Sequence, residues 1–327
     1  VMLKPSEMTP RTSELLKSVL AGVFPQSQVT VITGGPDVAA RFSALPFDHL
    51  LYTGSTHIGR KVMAAAAENL TPVTLELGGK SPAIVDQDYS IDVAADRLIT
   101  GKLLNAGQTC IAPDYIMLAG VSQERFVAAI QKAFEKAYPD FANNADYTSL
   151  NNDRHYQGME KMLKDARDSG AEVIPLSDAP NDAQKRRFTP CLVLNPKTDS
   201  LVMREEIFGP ILPIMTVPDV KSAVKYINQN PRPLSLYYFG HRQADFVLNH
   251  TISGGVCIND TLLQMAQNDL PFGGTGDSGM GQYHGYDGFM TFSKKKSVMR
   301  QSRFNTAGLL RPPYTNLKQR ILDLLAR

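Results

Sequence analysis

Two patterns of hydrophobic and polar positions alternate along the chain. In residues 15–23, apolar side chains recur three and four positions apart, which is typical of an amphipathic helix. Residues 29–32 and 49–53 are short, strand-like apolar runs that each end close to a glycine. Strands that alternate with helices of about 10–15 residues indicate parallel βαβ units. The sequence therefore predicts an α/β fold with a partial, doubly wound, Rossmann-type parallel sheet, followed by a further α/β region.

The same alternation continues towards the C-terminus. Further helices are expected at residues 38–42, 58–68, 91–104, 126–137, 156–166, 220–227 and 244–248, and further strands at 72–77, 83–85, 115–119, 192–194, 211–217, 236–239 and 256–259. Gly78-Gly79 ends the first block of strands and helices. We therefore place the domain boundary between residues 78 and 79.

The C-terminal residues 294–327 are basic in a chain that is nearly neutral. The 327 residues carry a net charge of +2, whereas this stretch holds nine Lys or Arg residues and one acidic residue. Leu317, Ile321, Leu324 and Leu325 follow a helical spacing, which predicts an amphipathic helix. The tail is either solvated, a subunit contact, or a contact with a membrane surface or nucleic acid. The rest of the chain has no basic face, and no apolar run approaches the ~20 residues of a membrane span, so we expect neither a nucleic-acid partner nor stable membrane insertion.

The cysteines exclude two classes of small protein. Cys110, Cys191 and Cys257 are far apart, with no C-x-x-C pair, and no H-E-x-x-H motif is present. This usage argues against a disulfide framework and a zinc site, and it fits a reducing cytoplasm. We expect no metal. Cys191 and Cys257 lie in apolar strand patterns that are typical of inert, buried cysteines.

Residues 54–59 could hold an anion. The segment G-S-T-H-I-G follows a predicted strand and opens a predicted helix, where free backbone N–H groups and the helix dipole favour a negative charge. Gly54 permits a tight turn, and Gly59 permits close packing. Without a following G-K-[ST], the motif also fits a plain strand–helix turn.

Three further positions could carry chemistry. Glu76 stands at a strand end beside Gly78-Gly79, where α/β sheets place ligands, and could act as a general base if burial raises its pKa. Cys110 follows a glycine-containing loop and could be a nucleophile. The Glu205-Glu206 pair precedes a Gly-Pro break and suggests ribose binding or proton handling. Taken singly, each also fits a solvated charge or an inert cysteine.

In their order along the chain, these motifs resemble the aldehyde dehydrogenase superfamily. Residues 110–115 (C-I-A-P-D-Y), 271–281, 283–285 (Y-H-G) and 311–314 (R-P-P-Y) resemble its class 3 branch. The superfamily strings are K-P-S-E at 4–7, G-S-T-H-I-G at 54–59, L-E-L-G-G-K-S-P at 75–82, G-Q-T-C at 107–110 and E-I-F-G-P at 206–210.

The resemblance implies a reaction and a set of site residues. Cys110 would attack an aldehyde carbonyl, a nicotinamide cofactor would take the hydride, and Glu76 would activate water to hydrolyse the thioester. The cofactor would be NAD or NADP, because Lys4 could tolerate a 2′-phosphate. Lys4 and Glu7 would hold the adenosine ribose, and the turn at Gly54, Ser55 and Gly59 the pyrophosphate. Glu206 and Phe208 would hold the nicotinamide ribose and ring, and Leu77 would also bind the cofactor.

It also implies an organisation and a substrate class. Residues 1–78 would be the C-terminal part of the dinucleotide-binding domain, 79–290 the catalytic domain, and 291–327 an oligomerisation strand and tail, with a homodimer as the assembly. The loop 262–269 and Phe272 would wall a tunnel for an aromatic aldehyde such as coniferyl aldehyde, or for a medium-chain aliphatic one.

Part of the superfamily pattern has no counterpart in this sequence. The superfamily carries an upstream P-W-N segment whose Asn is a second oxyanion donor, so we expect the chain alone to be impaired in turnover. A CoA-acylating relative and a non-catalytic nucleotide-binding or assembly module remain alternatives.

Overall fold

The computed structural model describes residues 1–305, 308 and 311–326. They divide into two units, Val1–Phe292 and Ser293–Arg327. The strands are β1 (Met2–Leu3), β2 (Thr30–Val31), β3 (Leu50–Thr53), β4 (Val73–Glu76), β5 (Pro82–Asp86), β6 (Tyr115–Ala119), β7 (Glu172–Pro175), β8 (Cys191–Leu194), β9 (Ile211–Val217), β10 (Ser235–Phe239), β11 (Gly255–Ile258) and β12 (Gly279–Met280). The helices are α1 (Pro10–Val23), α2 (Pro36–Ser43), α3 (Thr56–Ala67), α4 (Ile91–Leu103), α5 (Gln123–Ala137), α6 (Asp153–Asp168), α7 (Leu201–Arg204), α8 (Val220–Asn228), α9 (Ala244–His250), α10 (Gly285–Thr291) and α11 (Asn316–Leu325).

The largest sheet is doubly wound. Its strand order is β11-β10-β5-β6-β9-β8-β7, and every neighbouring pair is parallel except β7 and β8. Ala83 and Val85 of β5 pack with the buried residues of α4 and α5, whereas Ile84 packs with those of α6 and α8. Alternate residues of one strand thus enter two cores on opposite faces of the sheet. The predicted α/β fold with parallel sheets is confirmed.

Two smaller sheets are built from β1 to β4 and from β12 near the other end of this unit. β1 pairs with β2 in parallel, and β4 lies between β3, to which it is parallel, and β12, to which it is antiparallel. The register sets Glu76 opposite Thr53 on one side and Gly279 on the other. Gly279 has a positive φ of 148°, and a Cβ there would overlap the Leu75 carbonyl oxygen. This close approach places the last residue of β4, Glu76, at the centre of the small sheet.

Most predicted elements form within a few residues of their expected bounds, including the C-terminal amphipathic helix as α11. The elements without a prediction are short: β1, β7, α7, β12 and α10. Among the described residues, no helix is long and apolar enough to cross a membrane. The division into residues 1–78, 79–290 and 291–327 stays a prediction.

Candidate active site

The loop that carries Cys110 begins with a left-handed turn. After α4, the 3-10 segment Leu104–Gly107 has positive φ at Asn105 (53°), Ala106 (53°) and Gly107 (77°). Left-handed backbone costs a non-glycine residue about 1–2 kcal/mol, and such strain concentrates at functional sites. A Cβ on Gly107 would overlap the carbonyl oxygen of Gly209. The turn therefore brings the cysteine loop into contact with the loop that contains Glu206.

The Gln108 side chain fixes this turn with all of its polar atoms. Its amide Nε2 donates to the carbonyl oxygens of Asn105 (3.0 Å) and Ser149 (3.1 Å). Its Oε1 accepts from the backbone N–H of Asn151 at 2.7 Å. Gln108, two residues before Cys110, thus connects the start of the cysteine loop to the segment that precedes α6.

Cys110 is half-buried, and its surroundings favour the protonated thiol. Burial and, after it, the nearby carboxyl groups of Glu206 and Glu76 raise the pKa of the thiol to about 11. The backbone N–H groups of Cys110 and Ile111 point to the sulfur and oppose this shift. The sulfur therefore faces two carboxyl groups and two backbone donors, and it needs a base before it can attack a substrate.

Glu76 is the nearby group best suited to be that base. It is 3% exposed, and neither carboxylate oxygen has a hydrogen-bond partner among the described residues. Burial raises the pKa of Glu76 to about 8. Tyr283 is also nearby: burial raises the pKa of its phenol, and Glu76 and Cys110 raise it further. A carboxyl group with a near-neutral pKa beside a nucleophile is suited to proton transfer.

Glu206 lies against the glycines that follow β4. A Cβ on Gly78 would overlap its carboxylate, and the backbone N–H of Gly79 donates to that carboxylate. Burial, followed by the nearby Asp114, raises the pKa of Glu206 to about 7. Two residues further on, Phe208 has a positive φ of 49°, and its carbonyl oxygen accepts from His155 Nε2 at 2.7 Å.

A buried ion pair holds the Glu206 loop in place. Lys80 Nζ donates to Asp114 and to the carbonyl oxygens of Val202 (2.8 Å) and Glu205 (3.0 Å). The other carboxylate oxygen of Asp114 accepts from the backbone N–H of Ile207 at 3.0 Å. Lys80 lies in the L-E-L-G-G-K-S-P motif and Asp114 in the C-I-A-P-D-Y motif, but the sequence pattern alone predicts no role for either residue.

The remaining candidate residues lie along the small sheets. A Cβ on Gly59 would come within 2.6 Å of Leu77 Cδ2, so α3 packs directly on the residue after Glu76. Ser55 is the N-cap of α3, yet its side chain accepts no hydrogen bond from the helix, which leaves those backbone donors for a ligand. Gly54 precedes it, and its N–H donates to the Glu76 carbonyl oxygen at 3.0 Å.

Lys4 and Glu7 form a pair at the other end of this region. Lys4 Nζ donates to Glu7 Oε2 at 3.0 Å. The Tyr52 phenol lies between this pair and the turn: a Cβ on Gly54 would overlap its oxygen, and Glu7 is close enough to raise its pKa, although burial raises it more. Tyr52 thus links the Lys4–Glu7 pair with the turn at Gly54.

The other two cysteines are separate from this arrangement. Cys191 is buried in β8, where burial raises the pKa of its thiol to about 12, and Cys257 lies in β11. Within residues 1–305, 308 and 311–326, no group of three His, Cys, Asp or Glu side chains is placed to hold a metal ion.

The fold and this site together define an aldehyde dehydrogenase: residues 1–298 match the model of the aldehyde dehydrogenase family, and the chain belongs to that family. It is 51% identical over 324 residues to a probable coniferyl aldehyde dehydrogenase of Pseudomonas aeruginosa, an alignment that covers 98% of this chain and 67% of the relative. It is 40% identical to the dimeric NADP-preferring aldehyde dehydrogenase of Rattus norvegicus, over 93% of this chain and 66% of the relative.

Two solved structures show the same fold. A substrate-bound AldH of Staphylococcus aureus superposes with a TM-score of 0.93 at 38% identity, over 100% of this chain and 70% of that one. An aldehyde dehydrogenase of Mycobacterium tuberculosis in complex with NAD+ superposes with a TM-score of 0.83 at 27% identity, over 93% and 64% of the two chains. The chain thus spans about two thirds of the length of its relatives. The expectation that the family uses NAD or NADP is confirmed.

Proposed function

We propose that the protein oxidises an aldehyde to the carboxylic acid with NAD or NADP, with Cys110 as nucleophile and Glu76 as general base. One observation carries this proposal. The half-buried sulfur of Cys110 lies near a deeply buried carboxyl group that has no hydrogen-bond partner among the described residues. A buried carboxylate left unpaired is costly to the fold, and a role in proton transfer accounts for it.

The residues of the chain perform each proton transfer. Glu76 takes the thiol proton, and the Cys110 sulfur bonds to the carbonyl carbon. The backbone N–H of Cys110 then donates to the resulting oxyanion. A bound nicotinamide would supply the hydride acceptor for the oxidation. Glu76 must then release the thiol proton to solvent before it can act as a base again. It next takes a proton from water, the hydroxide attacks the thioester carbon, and the C–S bond breaks to release the acid and regenerate the Cys110 thiolate.

The residues at the small sheets fit a dinucleotide. Glu206, held on Gly78, would accept hydrogen bonds from the nicotinamide ribose, and Phe208 would contact the ring. The N-terminus of α3, with Gly54, Ser55 and Gly59, would face the pyrophosphate. At the far end, Lys4 and Glu7 would hold the adenosine ribose.

The proposed substrate is an aromatic aldehyde such as coniferyl aldehyde, with a medium-chain aliphatic aldehyde as the other candidate. Phe272 pairs with Tyr283 through two backbone hydrogen bonds of 2.7 and 2.8 Å, and Tyr283 in turn lies near Glu76 and Cys110. An aromatic residue, Tyr283, near the proposed reacting groups supports an aromatic substrate. Leu263 and Met265, in the loop before Phe272, supply further apolar surface.

The proposed assembly is a homodimer in the cytoplasm. Sedimentation of the purified protein tests the assembly. The rat relative is described as dimeric, and the free cysteines of this chain fit a reducing compartment.

The test is to follow reduced nicotinamide and identify the product. The chain, or any longer form of the protein that contains it, is mixed with coniferyl aldehyde and NAD or NADP. We expect reduced cofactor and the free acid, and no activity in Cys110→Ala. An acyl-CoA product formed only with added coenzyme A would support the CoA-acylating alternative instead. Cofactor binding without labelling of Cys110 by iodoacetamide would support a non-catalytic module.

A further inference from the structure

Lys102 is a buried lysine that the proposed reaction does not use. It lies in α4, is 1% exposed, and its Nζ has no hydrogen-bond partner among the described residues. Leu98 and Ile99, one turn earlier on the same face of α4, belong to the core. An unpaired ammonium group in a protein interior costs several kcal/mol unless opposite charges compensate it. The position therefore points to an electrostatic role for the amine.

The groups that face Lys102 come from four places in the fold. They are Lys80 before β5, Asp114 before β6, Cys191 in β8 and Glu206 before β9. Two of these are acids, so one or both must balance the buried amine.

Of the two acids, Asp114 does more than Glu206 to favour the charged form of Lys102, and it already forms an ion pair with Lys80 and accepts from the backbone N–H of Ile207. Glu206 accepts from the Gly79 N–H and keeps acceptor capacity for a ligand. Glu206 is therefore the acid through which the Lys102 charge could affect a ligand.

We propose that Lys102 is a positioning residue, which keeps the Glu206 carboxylate ionised and seated on Gly78, ready to accept hydrogen bonds from the hydroxyl groups of the cofactor ribose. The inference rests on the proposed function. Lys102 acts through space in a poorly solvated site, where charges interact more strongly than in water.

The electrostatics of the pair support this role. Burial and, after it, the negative charge of Asp114 raise the pKa of Glu206 to about 7. The Gly79 N–H, Lys80 and Lys102 oppose that rise. The Cys110 thiol also faces Glu206. Burial lowers the pKa of Lys102 to about 8. The positive amine favours the ionised form of Glu206, and the Glu206 carboxylate favours the charged form of Lys102. Loss of the Lys102 charge raises the pKa of Glu206 and leaves more of it protonated at about pH 7.

The direct test is an NMR titration of the Glu206 side-chain carboxyl in Lys102→Met, which needs no cofactor. We expect a higher Glu206 pKa than in the wild type. Lys136→Met is the matched control, because Lys136 is exposed and pairs with Asp96, and it should leave the titration unchanged. Replacement of a buried charge by an apolar side chain of similar length is often neutral or stabilising, so the variant should fold.

Calorimetry of NAD or NADP binding supplies the second readout. Each unit of increase in the Glu206 pKa should weaken binding by about tenfold at pH values below that pKa. We expect the loss to shrink at about pH 9, and Lys102→Met to have no further effect in Glu206→Gln. An unchanged Glu206 pKa, or a loss that is equal at both pH values and persists in Glu206→Gln, would overturn the role of Lys102. Failure of the wild type to bind cofactor would instead overturn the proposed function, because the titration tests Lys102 independently.

Discussion

At the scale of single residues, the site combines two carboxyl groups with different surroundings. Glu76 has no hydrogen-bond partner among the described residues, whereas Glu206 receives the Gly79 N–H and is balanced by nearby lysines. Burial raises the pKa of both groups, and a backbone N–H and two lysines oppose that rise at Glu206. The different surroundings suit Glu76 to proton transfer and Glu206 to ribose binding.

Glu76→Gln should remove the rise of turnover with pH on the acidic side of the pH profile. Because the base must be ionised, wild-type turnover should rise with pH through about 8. The variant should lose about 10²–10⁴-fold in turnover and show a flatter profile. Glu205→Gln, which changes an exposed carboxylate beside the site, is the control and should keep the wild-type profile. A Glu76→Gln variant with wild-type turnover would exclude Glu76 as the base.

Gly78→Ala should weaken cofactor binding by displacing a carboxylate. The added Cβ would overlap the Glu206 carboxylate, which must then move away from residue 78. We expect the dissociation constant for NAD or NADP to rise about tenfold, equivalent to 1.4 kcal/mol. Gly158→Ala, in α6, has no atom within 4 Å of the new Cβ and should bind cofactor normally. Equal binding by the two variants in calorimetry would argue against the ribose-binding role of Glu206.

At the scale of elements, the cysteine loop depends on one side chain for its shape. Gln108→Ala removes three hydrogen bonds and leaves the Ser149 carbonyl and the Asn151 N–H without that partner. We expect a loss of about 1–3 kcal/mol in the free energy of unfolding and a fall in turnover. Gln157→Ala, at an exposed position of α6, is the control for both measurements. Unchanged turnover in a destabilised Gln108→Ala would show that the three hydrogen bonds of Gln108 contribute to stability alone.

The elements also show how far local patterns predict this structure. Periodicity places the long helices and buried strands because each buries a repeating apolar face, as α4 does with Leu98 and Ile99. It misses β12, whose two residues are a strand only because β4 lies beside them. Such a partner, more than two hundred positions away in sequence, leaves no local signal.

The site, too, is predicted only in part by the sequence. The resemblance to a family identifies Cys110 and Glu76 as candidates, but their unpaired and half-buried states depend on tertiary packing. Lys102 did leave a signal, as a lysine on the apolar stripe of α4 after Leu98 and Ile99. That a charge in this stripe faces Glu206 follows only from the fold.

At the scale of the whole molecule, a site of buried ionisable groups should make stability depend on pH. The folded-state pKa of Glu76, about 8, lies above its ordinary value of 4.5. Between these values the folded chain keeps a proton that the unfolded chain releases, so stability falls as pH rises through this range. For Lys102, lowered from 10.5 to about 8, stability instead rises with pH between those two values.

Glu76→Gln should therefore stabilise the fold above neutral pH while it impairs the proposed reaction. At about pH 9 the wild type bears the cost of an ionised, unpaired carboxylate, and the amide does not. We expect a gain of at least about 1 kcal/mol there, since one pKa unit corresponds to 1.36 kcal/mol, and little gain near pH 4.5, where Glu76 is protonated in the folded state. Thermal unfolding of both proteins at the two pH values measures this difference. The exposed Glu205→Gln should show no such pH-dependent gain, and an equal effect of Glu76→Gln at both pH values would mean that the Glu76 carboxyl is not held uncompensated in the fold.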